Sequence, residues 1–393
     1  MRASLLWLSI IVFAATGSAQ DRPASSEPPP QASPKVGPQA IQVRFIEREL
    51  FIPAPNSFPG GLDALEVYAD RPGKRPLVIL THGTSADQKV RMQLTPWAQA
   101  EQARWFARRG YYAIVIIRKG YGRSGGEQDG HAGGCRSDNK GSFDEAGRAS
   151  ADDIRAAIKF AASLPEVDTE SVVSAGVSTG GFAQAALSAD PPKGLKAAIS
   201  FAGGRGGDGH ENNCNLGGLL DAFGSYGKGA KKHGPVPMLW IYSENDHWFP
   251  PAMARKFQAA YDKGGGAEEF VLAPPDGEDG HHLYSHVDAW SDTVNAFLKA
   301  HSLLPLGDQV YPAPIAPDVP PPAGVTGSGL DGWKRYLLGS PYKAFAIDSE
   351  NHWGFAQARF NQEIADEDAM EHCKKASGGK SKCAVVARTP GVK

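Results

Sequence analysis

The sequence predicts an α/β protein: a mostly parallel sheet flanked by helices, followed by a small disulfide-stapled α+β module. Three observations predict it. Short apolar runs such as PLVILT (76–81), YAIVII (112–117) and AAISFA (197–202) are continuous rather than alternating, as strands are when both faces of a sheet are covered. Helical patterns separate these runs, and strand–helix alternation implies right-handed crossovers and parallel neighbours. Two proline-dense stretches, 20–41 and 304–329, bracket the alternating region and set residues 330–393 apart.

Taken in order, the chain begins with MRASLLWLSIIVFAATGSAQ, in which one Arg precedes an apolar run and small residues Gly17 and Ala19 precede a cut after Ala19. This is the pattern of a secretory signal peptide, 1–19, and the run is shorter than the roughly 20 residues a spanning helix needs. No Cys follows the cut, so no lipid anchor is expected, and no other stretch is apolar enough to span a membrane. The expected location is therefore secreted or periplasmic. Strands are expected at 42–51, 64–69, 76–81, 112–117, 171–177, 197–202, 237–243 and 269–273. Helices are expected near 93–109, 143–163, 181–189, 217–225, 251–263 and 287–301, and Ser142-x-x-Glu145 reads as a capping box at the second of them. These elements make a domain of residues 42–303. Residues 330–393 read as a strand at 343–347, a turn or short strand around Trp353, a helix at 361–374 and a strand at 383–388.

Composition narrows the function classes. Net charge is −2 with no strongly basic patch, which leaves no footprint for nucleic acid. The four cysteines, in an exported chain, suggest two bridges. Cys373 and Cys383 lie close together, and Cys135 and Cys214 sit in glycine-rich loops, 124–143 and 203–235, that leave strand ends on one face. The expected pairs are 135–214 and 373–383, although four cysteines allow three connectivities. The competing reading is a zinc site, because His131 and His210 flank Cys135 and Cys214 at four-residue spacings. No compact ligand spacing repeats, so no metal is expected.

Two segments match Gly-x-Ser-x-Gly: GVSTG around Ser178 and GRSGG around Ser124. In a chain with 46 glycines the pattern means little without its context. Ser124 is followed by GGEQDGHAGGCRSDNKG, a loop. Ser178 follows the strand SVVSAGV and leads into GGFAQAALSAD, rich in helix formers. A strand–serine–helix turn is the nucleophile elbow, so Ser178 is the candidate nucleophile.

A serine hydroxyl needs a base, and the base an orienting acid, expected here after successive late strands. The strand MLWIYS runs into Glu244-Asn245-Asp246, with Asp246 preferred as the acid and Glu244 as the alternative. The next strand leads to EDGHHLY, with His281 preferred as the base and His282 as the alternative. Oxyanion donors are expected from the backbone of Thr179 and of Thr84, with Ser85 as the alternative, while His82 reads as structural. Such a base must be neutral, so activity should fall below about pH 6–7, where an ordinary histidine takes up a proton.

These segments together resemble the α/β-hydrolase superfamily, in its dienelactone hydrolase and acyl-peptidase-type branch. The resemblance covers 42–303 and rests on THGTS, RKGYGRSGG, DDIRAAIKFAASLPEVDTESVVSAGVSTGG, YSENDHWFP and EDGHHLY. It implies hydrolysis of esters, sometimes amides, through an acyl-enzyme without metal or organic cofactor. The dienelactone hydrolases carry cysteine where this chain has Ser178, which moves the expectation to a serine carboxylesterase. The polar loops suggest small or polar acyl esters as substrates. Amide or peptide hydrolysis by the same residues, and a non-catalytic binding protein of the same fold, are the alternatives. Residues 330–393 resemble small cysteine-paired domains of secreted bacterial proteins. They read either as a wall- or partner-binding module or as a unit that only packs on the main domain.

Overall fold

A computed structural model describes residues 43–127, 135 and 142–389. The proposed signal peptide, the whole first proline-rich stretch and most of the loop around Cys135, including His131, lie outside the described residues.

The main sheet has eight strands: β1 (Phe45–Ile52), β2 (Leu62–Ala69), β3 (Arg75–Thr81), β4 (Tyr112–Ile116), β5 (Val167–Val177), β6 (Leu195–Phe201), β7 (Met238–Ser243) and β8 (Glu269–Ala273). Their spatial order is β1-β2-β4-β3-β5-β6-β7-β8. Strand β2 runs antiparallel to both β1 and β4, and all later neighbours are parallel. The chain changes direction of travel at β3, so β3 and β5 sit at the centre and their carboxyl ends open side by side.

Continuous apolar strands require cover on both faces, and they have it. Along β3, Leu77 and Ile79 point to one core while Val78 and Leu80 point to the other. The first core is closed by α3 (Phe143–Ala161), α4 (Thr179–Ser188), α5 (Leu216–His233) and α6 (Pro251–Gly264). The second is closed by α2 (Ala100–Arg108) and α7 (Val287–Ala300). Every residue of α4 is buried, which fits a helix packed on all sides. The expected capping box opens α3: Ser142 Oγ accepts from Glu145 N at 3.1 Å and Glu145 Oε2 accepts from Ser142 N at 2.8 Å.

The second core turns on Trp290. Its indole lies 4.9 Å from Trp105 and 5.2 Å from Phe201, centroid to centroid, and its Nε1 donates to Tyr284 O at 3.0 Å. Trp290→Ala is expected to cost about 3–5 kcal/mol. Urea unfolding measures this, and a loss under about 1 kcal/mol would contradict the packing.

One charge strains the other side. Burial, with the Asp262 carboxyl close by, pushes the Glu268 carboxyl up to about 8, although Gln258 Nε2 donates to its Oε1 at 2.7 Å. A carboxyl whose folded pKa is raised holds its proton more tightly in the folded chain. Its contribution is favourable below about 4.5 and is lost as pH rises through about 8. Glu268→Gln is neutral throughout, so it should melt above the native chain at about pH 9, the gap closing towards about pH 5. A difference that does not vary with pH would contradict this.

Two differences from the expected elements have physical causes. The helix expected near 93–109 is a 3-10 turn at Pro96–Gln99 followed by α2, and a short helix that was not expected, α1 (Gln88–Met92), precedes it. Pro96 lacks the N–H that a continuous helix would need there. A helix not expected at all, α8 (Ser328–Leu338), opens the C-terminal module. It is stabilised by Trp333 and Tyr336 packing on Phe345 rather than by its glycine-rich sequence.

The module adds an antiparallel sheet in the order β10-β9-β11, from β9 (Lys343–Ile347), β10 (Trp353–Ala356) and β11 (Ala384–Thr389), with α9 (Gln362–Ala376). Strand β9 alternates: Ala344 and Ala346 face α9, while Phe345 and Ile347 face α8. Disulfide Cys373–Cys383 ties α9 to the approach of β11, and Cys135–Cys214 joins the two glycine-rich loops, with Cα separations of 6.1 and 5.6 Å. Both expected pairs are present, and they fit an extracellular or periplasmic compartment. As disulfide sulfurs, those of Cys135 and Cys214 are not thiolate ligands here. The second proline-rich stretch is not free of the main domain. Tyr311 N donates to Arg108 O and Arg108 Nε to Tyr311 O, each at 2.8 Å. No helix among the described residues is long and apolar enough to cross a membrane.

Candidate active site

The turn from β5 into α4 is tight because two glycines let backbones meet. A Cβ on Gly176 would stand 2.5 Å from Gly180 O, and one on Gly180 would stand 2.6 Å from both Thr81 O and His82 O. Ser178, between them, adopts φ 56° and ψ −119°, a conformation L residues rarely take. It projects from the carboxyl end of the sheet, half-buried, with the first turn of α4 directly behind it. The other serine is occupied elsewhere. Ser124 Oγ donates to Ile117 O at 2.6 Å and accepts from Asp63 N at 2.8 Å, which makes it a buried brace between the ends of β4 and β2.

The loops after β7 and β8 bring two of the sequence candidates together. His281 Nδ1 lies 3.1 Å from both carboxylate oxygens of Asp246. Asp246 is 1% exposed and His281 8% exposed. Asp246 Oδ1 also accepts from the N–H groups of Trp248 and Phe249, each at 2.8 Å, which fixes the carboxylate. With Nδ1–H donating to that carboxylate, His281 Nε2 is the free, basic nitrogen. Trp248 stacks on the imidazole at 5.5 Å and Phe249 meets it edge-on at 5.4 Å. Asp279 Oδ1 receives His281 N at 3.0 Å and His247 N at 3.1 Å, holding one strand-end loop to the other. The alternatives Glu244 and His282 are both exposed and take no part in this pairing.

The loop after β3 closes in on Ser178 from the opposite side. A Cβ on Gly83 would be 3.0 Å from Ser178 Cβ, so the loop lies tightly against the elbow and a side chain there would press on Ser178. Thr84 Oγ1 meets the Tyr121 hydroxyl at 3.1 Å. Ser85, the alternative, receives Asp87 N on its Oγ and anchors Arg91 through its carbonyl. His82 is buried, and its Nε2 accepts Arg118 N at 3.0 Å. Thr179, the residue after the elbow, is buried, and its Oγ1 accepts from Arg118 Nη2 at 2.8 Å.

Sequence reasoning missed Trp248, Phe249, Asp279, Tyr121 and the two arginines, Arg118 and Arg205. All lie in strand-end loops, where position alone was the available signal.

The strand order and the strand–serine–helix turn are those of the α/β-hydrolase superfamily, and the family match makes the protein a hydrolase of that class. More specifically, residues 61–271, more than half of the chain, match the family of X-Pro dipeptidyl-peptidase (S15 family), and the chain belongs to that family. The match spans Ser178 and Asp246 and stops short of His281.

Among solved structures, a Klebsiella pneumoniae protein assigned as a dienelactone hydrolase is 18% identical, with a TM-score of 0.45, over 65% of this chain and 99% of that one. The acylaminoacyl peptidase of Pyrococcus horikoshii is 17% identical, with a TM-score of 0.43, over 69% of this chain and 43% of that one. An esterase of Pyrococcus furiosus is 14% identical, with a TM-score of 0.41, over 70% of this chain and 97% of that one. No curated protein matches the chain.

Proposed function

We propose that the protein is a serine hydrolase that cleaves carboxylic esters of small or polar acyl groups through Ser178, His281 and Asp246. The observation that carries this reading is the buried Asp246–His281 pair, held on the last two strand-end loops of a sheet whose centre presents Ser178 on a strained elbow. His281 Nε2 removes the Ser178 proton as Oγ attacks the ester carbonyl. The oxyanion is held by the backbone N–H of Thr179, at the N-terminus of α4, and by that of Thr84. Each such donor is typically worth about 2.7–4 kcal/mol of transition-state stabilisation. The imidazolium, steadied by Asp246, then protonates the leaving alcohol, and water repeats the sequence on the acyl-enzyme to release the acid. No metal or organic cofactor is needed for these steps.

The second reading, cleavage of an X-Pro peptide bond by the same residues, is favoured by the family. It is separated by comparing kcat/KM for p-nitrophenyl butyrate and Ala-Pro-p-nitroanilide. The ester reading expects turnover of the former to exceed that of the latter beyond their difference in intrinsic reactivity. A dominant Ala-Pro-p-nitroanilide activity would overturn it. Export through the 1–19 segment belongs to the same proposal. So does a partner for 330–393, which N-terminal sequencing and truncation at 329 would test respectively.

A further inference from the structure

The carboxyl end of the sheet carries more buried positive charge than the proposed chemistry uses. Arg118, two residues beyond β4, is fully buried. Its Nη2 donates to Thr179 Oγ1 at 2.8 Å and to Gly83 O at 3.2 Å, and the Tyr121 hydroxyl is its other side-chain partner. The nearby carboxylate, Asp153, already faces the Lys119 ammonium at 3.2 Å.

Arg205 is more exceptional. It lies in the loop after β6 and is only 7% exposed, and its Nη1 is buried without a partner. Among the described residues no carboxylate stands within ion-pair distance of it. The charged neighbour acting on it is the like-charged Arg118, and burial pushes its pKa down to about 10.

The backbone that carries Arg205 runs beside the elbow. The neighbouring Gly204 N donates to Ser178 O at 3.2 Å, and Asn213 Nδ2 holds Arg205 O at 2.7 Å. The next residue, Gly206, packs against the Cys135–Cys214 bridge, where a Cβ would be 2.8 Å from Cys214 Sγ. Tyr121 links the corner together. Its ring lies 5.5 Å from Arg118 Cζ, and its hydroxyl meets Thr84 Oγ1 at 3.1 Å. A buried guanidinium without an acceptor destabilises a fold, so its presence beside a reactive centre points to a ligand that completes it.

We propose that Arg205, backed by Arg118, is an anion-binding subsite that receives a carboxylate carried by the acyl part of the substrate. It rests on the Ser178 hydrolase reading and narrows its substrate class to half-esters of dicarboxylic acids. The planar guanidinium fork matches a carboxylate in a two-bond arrangement. The same corner would repel a free α-ammonium group.

The test compares monomethyl succinate with methyl valerate in the native enzyme, Arg205→Met and Arg205→Lys, with turnover followed by pH-stat. The native enzyme should prefer the half-ester. Arg205→Met should lose roughly 30-fold or more in kcat/KM on the half-ester, with Arg205→Lys recovering part of it, and stay within about threefold on methyl valerate. Equal losses on both substrates would overturn the subsite.

Binding is read separately, without turnover. Succinate should raise the melting temperature of Ser178→Ala but not of Ser178→Ala/Arg205→Met, and phosphate at equal ionic strength should not match it. Absence of that shift, or equal protection by phosphate, would overturn the carboxylate assignment. Arg205→Met alone should melt no lower than the native protein, since it removes an uncompensated buried charge. A lower melting point restored by Arg205→Lys would show a structural arginine instead. If neither ester is turned over but succinate still protects through Arg205, the hydrolase reading fails and the subsite stands.

Discussion

Ser178→Ala is expected to reduce ester hydrolysis by roughly 10⁴- to 10⁶-fold, the range seen when the nucleophile of such an assembly is removed. The loss should fall on kcat, because binding groups around the elbow are untouched. Folding stability should barely move, because alanine keeps the strained φ of 56° that serine already has there. Ser178→Gly separates the two effects. It should be equally inactive yet more stable, since a backbone of this kind typically costs about 1–3 kcal/mol that glycine does not incur. Steady-state kinetics and thermal melts of both variants check this. Residual activity above about one per cent in Ser178→Ala would place the nucleophile elsewhere.

Asp246→Asn is expected to be nearly as inactive, at about 10⁴-fold, while remaining folded. An asparagine Oδ1 can still accept the N–H groups of Trp248 and Phe249, so the loop after β7 should keep its shape. Its amide NH₂ would then face His281 Nδ1. An N–H there demands an unprotonated Nδ1 and moves the imidazole proton to Nε2, the nitrogen that must accept from Ser178. Asp246→Ala removes the acceptor for both backbone N–H groups and should lose stability as well as activity. If Asp246→Asn kept most of its activity, the exposed Glu244 would become the better choice of acid.

Much of this was legible in the sequence. The strands announced themselves because burial on both faces leaves continuous apolar runs, and β3, β4, β6 and β7 lie within two residues of their expected limits. The positions of Ser178, Asp246 and His281 followed from the same topology. Once the strands are ordered, the loops at their carboxyl ends are the places from which side chains can meet. Helix α5 was harder to read. It extends to His233 rather than ending near 225, despite glycines that argue against a helix. Those glycines serve packing: a Cβ on Gly227 would be 2.1 Å from Tyr261 O, so they let α5 and α6 approach closely. Helix α8 was invisible for a related reason, since its stability comes from Trp333 and Tyr336 meeting Phe345 across the module. Arg118 and Arg205 carry no such signal. An arginine in a loop reads as solvated, and only the fold shows that Arg205 is enclosed without an acceptor.

The most direct measurement is fluorophosphonate labelling of the folded protein, located by peptide mass spectrometry, with Ser178→Ala and Ser124→Ala beside it. A single adduct on Ser178, absent from Ser178→Ala and retained in any folded Ser124→Ala, is the expected result. An adduct on another residue, or none on the folded native protein, would contradict an activated Ser178 and with it the proposed catalytic assembly.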